Sequence, residues 1–207
     1  MKNLNLLRRL WMLPLLCFAL NGCAQSTETT DAQSTGVKDF LKTGNTLQFN
    51  NENFYLGWSS NPASAYYTQE YFPKGEKPES YHQMFTVTVL FNEEVTPKAA
   101  VDAKVAELDL RKMTDACCNY KVVHNDDYYL IDFLVSQKNE KDPELLSIVE
   151  FDVHVYRQVV INGRKALKLD LYSHRVYDEE IMPFLYNLTD TRKKTIAEMI
   201  KTDIQCH

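Results

Sequence analysis

The sequence predicts an α+β fold, an antiparallel sheet of about six strands with a central helix and a C-terminal helix packed on it. Three observations predict it. Several segments alternate apolar and polar residues with period two, the mark of half-buried strands. Two other stretches space their apolar residues as a helix does. The order runs strands, helix, strands, helix, with turn signals between strands, so helices and strands do not alternate. That order argues against a doubly wound nucleotide fold and for helices gathered on one face.

The elements follow in order. Phe54, Leu56 and Trp58 point one way, with Tyr55 and Gly57 opposite, and Asn61-Pro62 then reads as a turn. Ala65 to Phe72 is a second strand, rich in Tyr. Phe85, Val87, Val89 and Phe91 alternate with Thr86 and Thr88, the clearest strand of all. Thr96 can cap a helix and Pro97 suits its first position. Val101, Val105, Leu108 and Met113 supply that helix's stripe, which ends near Cys117. Tyr128 to Val135, Ser147 to Tyr156 and Lys165 to Tyr177 are the later strands. Asn162-Gly163 is a strong hairpin signal between the last two. A final helix starts at Thr189 or Asp190 and buries Ile196, Met199 and Ile200. Pro183 argues against starting it unbroken from Glu179.

Ahead of these elements the chain opens with Lys2, Arg8 and Arg9, then an apolar run from Leu10 to Leu20, then Asn21-Gly22-Cys23. Basic, apolar, small is the layout of an exported leader. The apolar run is well short of the roughly 20 residues that a spanning helix needs. Leu20-Asn21-Gly22-Cys23 resembles the lipobox of bacterial lipoproteins. That resemblance implies cleavage before Cys23 and acylation of its thiol, an anchor of more than one acyl chain. Residues 24–38 are rich in Ser, Thr, Gln and Asp, with Val37 the one large aliphatic. Such a stretch cannot offset its ordering entropy by burial and reads as a tether. The expected organisation is therefore a leader over 1–22, a lipidated Cys and tether over 23–39, and one domain over 40–207. By the same resemblance, Ala24-Gln25 lacks the Asp that retains such proteins at an inner membrane, which implies the outer membrane.

Removal of the leader takes 22 of 207 residues and three of 23 basic residues, leaving 20 Lys and Arg against 28 Asp and Glu, a charge of −8. A surface of that sign argues against binding nucleic acid. Of five cysteines, Cys17 leaves with the leader and Cys23 is acylated. Cys117, Cys118 and Cys206 remain. Adjacent cysteines rarely pair, so the candidate disulfide joins Cys206 to Cys117 or Cys118. No C-x-x-C suggests a metal or redox site.

Around Tyr71 the chain reads Tyr-Phe-Pro-Lys-Gly-Glu, then from Glu79 Glu-Ser-Tyr-His-Gln-Met-Phe-Thr. This resembles small exported bacterial proteins of the PsbP-like α/β/α sandwich type, with Tyr81 where Trp is more usual. The resemblance covers about 20 residues and loosely, by element order, residues 46–204. It implies a fold whose members mostly bind or assist other proteins, and no single activity.

Catalytic arrangements are lacking: there is no G-x-S-x-G, no H-E-x-x-H and no Gly-rich phosphate loop. No cofactor is implied. Asp152, His154 and Tyr156 share one strand face, as do Asp170, Tyr172 and His174. A tight hairpin at Asn162-Gly163 sets Asp152 opposite Ser173 and His154 opposite Leu171. If the two faces coincide, two His and two Asp could suit a divalent metal. The plainer reading is an exposed polar face of a half-solvated sheet. Tyr66, Tyr67, Tyr71, Phe72 and Tyr81 form a candidate binding patch, with ordinary strand packing as the alternative. The expected protein is an envelope lipoprotein attached to a membrane by its lipid, without enzymatic activity, binding or scaffolding another envelope protein. A carrier of a small apolar or lipid ligand is the alternative, and an unrecognised hydrolase a third.

Overall fold

The computed structural model describes residues 36–207. The leader, Cys23 and the tether as far as residue 35 lie outside the described residues. Among those described, eight strands form one sheet: β1 (Thr46–Phe49), β2 (Glu52–Ala63), β3 (Tyr66–Pro73), β4 (Gln83–Leu90), β5 (Asn119–His124), β6 (Tyr129–Lys138), β7 (Leu146–Ile161) and β8 (Arg164–Tyr177). Helix α1 (Pro97–Arg111) separates the two sets of four strands. A 3-10 turn (Asp178–Glu180) leads into α2 (Ile181–Lys201). The sheet order is β1-β2-β3-β4-β8-β7-β6-β5, antiparallel throughout. Each set of four is a meander, and the two meanders meet where β4 pairs with β8.

This overturns the expected sheet of about six strands with a central helix. The two additional strands, β1 and β5, are the sheet's edges. β1 alternates but over only four residues, too few to mark a strand, and most of β5 is exposed, so neither stands out in the sequence. Nor do the helices share a face. Arg192 of α2 pairs with Asp132 of β6. Lys104 of α1 lies 5.8 Å over the ring of Phe133, the next residue. Successive strand residues point to opposite faces, so α1 and α2 cover opposite sides.

Local chemistry explains the element ends. Thr96 Oγ1 accepts the Ala99 N–H at 3.2 Å, capping α1. Asn162 and Gly163 both take positive φ, 51° and 78°, which a two-residue hairpin of this twist requires. β2 continues through Asn61-Pro62 and turns later, after Ala63. Asn61 Nδ2 donates to the carbonyls of Ala63 and Tyr66, bracing that turn. Pro62 is tolerated because β1 ends lower down, leaving this stretch of β2 at an edge. α2 starts eight residues before Thr189. Pro183 is its third residue, where no intrahelical partner is lost.

The core on the α2 face is aromatic. Phe49 lies 4.8 Å from Tyr172, 5.3 Å from Phe85 and 6.3 Å from Phe54, centroid to centroid. Val87, Val89, Val153 and Val155 extend it to Phe184 and Met199 of α2. The segment before β1 closes one end of this face. Gln69 Oε1 accepts the Leu41 N–H at 2.9 Å, and the Asp39 carboxylate takes the N–H groups of Thr43 and Gly44. The other chain end meets it there, the His207 N–H donating to the Leu41 carbonyl at 3.0 Å.

Candidate functional site

The five aromatics read as a binding patch do not form one. Tyr71, Phe72 and Tyr81 are buried. Tyr71 faces α2, where Gln69 Nε2 donates to its hydroxyl at 2.7 Å and Thr43 closes on it. Phe72, one residue on, faces the α1 side and packs 5.8 Å from Tyr81. Tyr66 and Tyr67 are half-buried at the strand's start, the Tyr67 hydroxyl donating to Ser64 O at 3.1 Å. Adjacent positions on β3 alternate sides, so a Tyr-rich run is split between two interiors.

The two His-bearing faces separate as well. The hairpin register sets Asp152 opposite Ser173 and His154 opposite Leu171. His154 therefore faces α1, while His174 faces α2 and meets the edge of Phe184 at 4.9 Å. No group of three His, Cys, Asp or Glu is placed to hold a metal among the described residues. The expectation of an exposed polar face also fails. Asp152, His154, Tyr156, Asp170 and Tyr172 are all buried, because a helix covers each side.

What the fold builds instead is two buried polar clusters, back to back on β7 and β8. The first faces α1. Ser173 Oγ donates into Asp152, and Tyr81 donates to Glu150 Oε2 at 2.8 Å. Arg175 Nε bonds the same Glu150 oxygen, its guanidinium 4.2 Å over the Tyr81 ring. Burial pushes the Asp152 carboxyl well above the carboxylate range, and the neighbouring Glu150 charge adds to the push. Burial, with the Lys104 charge, holds His154 well below its usual range, so the ring is neutral. His154 Nδ1 lies 3.1 Å from the Tyr156 hydroxyl. Ser, His and Asp are thus all present but wrongly linked for acyl transfer. The serine donates to the aspartate, whereas a nucleophile needs the histidine between them.

The second cluster faces α2 and the C-terminal tail. Lys168 is only 2% exposed, with Nζ 3.1 Å from Asp170 Oδ2. Arg157 Nη1 donates to the same oxygen at 2.8 Å. Beyond α2, Asp203 Oδ1 accepts from Lys168 Nζ at 3.0 Å, and so does the Ile204 carbonyl. Burial raises the Asp170 carboxyl to about 6 against the pull of Lys168 and Arg157. For Asp203 burial works the same way, but the Lys168 hydrogen bond and charge overcome it and hold the carboxyl low. Sequence reading named Asp170 but missed Lys168, Arg157 and Asp203. An apolar strand interrupted by Lys and Asp two positions apart was the available signal.

The expected disulfide is not made, since Cys117, Cys118 and Cys206 are free. Cys118 lies behind α1, its Sγ 3.5 Å from Leu108 O. Cys206 belongs to the tail on the other face, beside Lys168 and Asp170, so the sheet stands between the thiols.

Fold and clusters together define an antiparallel sheet protein covered by one helix on each side, with its buried ionisable groups tied to one another. A protein-family model matches residues 41–204, and the chain belongs to that family. No curated protein and no solved structure matches the chain.

Proposed function

We propose that the protein is an envelope lipoprotein, held to the outer membrane by acyl chains on Cys23, that binds another envelope protein without catalysing a reaction. The observation that carries the anchor is the sequence Leu20-Asn21-Gly22-Cys23 after a basic and apolar leader. Binding is supported by where the apolar side chains are left in water. Leu110 (70% exposed) lies in the last turn of α1 and Met113 (79%) two residues past it, and Met182 (54%) and Tyr186 (81%) lie one turn apart on α2. The linkage of Ser173 to Asp152 favours binding over hydrolysis. The close-packed aromatic core favours it over the carriage of an apolar ligand, since the centre of the α2 face is filled by rings.

Fractionation of cells expressing Cys23→Ser tests the anchor. The variant is expected in the soluble fraction, and retention in membranes would contradict the reading. Crosslinking in the native cell tests the partner. An adduct is expected through positions 182 and 186, and its absence at those positions would remove α2 as the binding face.

A further inference from the structure

Of the two buried clusters, one is closed by chain that forms neither helix nor strand. After α2 ends at Lys201, residues Thr202 to His207 run over the edge of the α2 face. The first is tied to Glu198 O and the last to Leu41 O. Between these ends the tail is held by Lys168. An ammonium has three donors, and the contacts of Lys168 account for all of them. One goes to Asp170 Oδ2, one to Asp203 Oδ1 and one to the Ile204 carbonyl.

The charges divide in an informative way. Lys168, Arg157 and Asp170 belong to the sheet and carry one net positive charge. Asp203 of the tail balances it. Without a carboxylate in that place, a lysine 2% exposed would face a surplus of charge in a poor solvent. The second observation concerns Asp170. Its side chain is fully buried, and Oδ1 has no hydrogen-bond partner among the described residues. A buried acceptor without a donor is costly, and the tail brings it none. The sheet therefore presents cations that take a carboxylate and, beside them, an acceptor that the tail leaves unfilled.

We propose that Lys168, Arg157 and Asp170 form a recognition site for an acidic peptide, which the chain's own tail occupies through Asp203. A partner segment with an Asp or Glu carboxylate for Lys168, and a neighbouring backbone N–H for Asp170 Oδ1, fits the site better than the tail does. Such a segment displaces the tail and lies along the same path. The identity of the competitor rests on the reading of the protein as a binder of other proteins. The site under the tail does not rest on it, nor on the anchor.

Cys206 supplies a built-in reporter. Its thiol is half-buried beside Lys168 and Asp170, and burial pushes it up to about 11, so it alkylates slowly while the tail is seated. The experiment measures alkylation of Cys206 in the full-length protein in detergent, with each cysteine resolved by peptide mapping. The probe is a synthetic peptide of residues 201–207 with serine replacing its cysteine. Saturating peptide is expected to speed Cys206 labelling about tenfold, and Asp203→Asn to do the same without peptide. A peptide with Asn replacing its Asp is expected to have no effect. An unchanged Cys206 rate with the acidic peptide would overturn the proposal, whatever the folding of the variant. Equal acceleration at Cys118, which lies behind α1, would overturn it too, because the domain would then be opening as a whole.

Discussion

Asp152 and Asp170 sit on neighbouring strands, both buried, and their direct partners differ. Asp152 accepts a neutral hydroxyl from Ser173 and has the like charge of Glu150 nearby. Asp170 touches two cations, Lys168 and Arg157. Burial raises both carboxyls, but the first goes well above the usual range and the second only to about 6. The same two strands thus bury one carboxyl pushed well above the carboxylate range and another that ionises near neutral pH. The enclosures differ in kind as well. The α1 side is closed by a capped helix and the Tyr81 loop, the α2 side partly by six residues of tail. One cluster is thus closed by regular structure and a packed loop, the other in part by a segment that forms neither helix nor strand.

The largest effect should come from Lys168→Met. It leaves Asp170 with Arg157 alone and takes the cation from Asp203, so a loss of about 3 kcal/mol is expected in urea unfolding. Asp152→Asn, by contrast, keeps the size of the side chain and an oxygen to accept from Ser173, in a site where burial already disfavours the charge, and should cost less than about 1.5 kcal/mol. Equal losses would erase the distinction between the clusters.

The second effect is on pH dependence. Asp170 holds its proton more tightly folded than unfolded, about 6 against an ordinary 3.8. Its contribution to stability is therefore complete below pH 3.8 and lost as pH rises to about 6. Over that window the shift amounts to roughly 3 kcal/mol. Asp170→Asn should remove this component, so stability of the variant relative to wild type should rise between pH 4 and pH 7. Parallel curves would contradict the assignment. A third change probes the α1 side through packing. An added Cβ at Gly57 would stand 2.6 Å from the buried Phe72 ring, which must shift within its packing. Gly57→Ala should cost about 1 to 2 kcal/mol. The smallest effect on stability belongs to Tyr186→Ser on the exposed flank of α2, within about 0.5 kcal/mol. Its expected consequence is the loss of the crosslinked partner.

Much of the sheet was legible in the residues. Asn162-Gly163 gave the hairpin and its register, and the alternation from Phe85 to Val89 gave β4. Thr96-Pro97 gave the start of α1. Three things were not legible, each for a physical reason. β1 and β5 are edge strands, one too short and one too exposed to write a period. The start of α2 was hidden by Pro183, which breaks a helix interior but not a first turn. The buried polar faces were misread because alternation along one strand reports two unlike faces and not whether a second helix covers the polar one. That cover comes from α1, some 50 residues away in sequence, just as Asp203 reaches Lys168 from 35 positions on. A pattern confined to one element cannot encode either meeting.

The difference between the sealed and the covered cluster is tested most directly by hydrogen exchange of the His207 amide, whose bond to Leu41 O closes the tail. If the tail opens on its own, this amide exchanges faster than those of β7 and β8, at a rate indifferent to low urea. If its exchange instead rises with urea as steeply as that of the central strands, the tail opens only when the whole domain unfolds, and the two clusters are sealed alike.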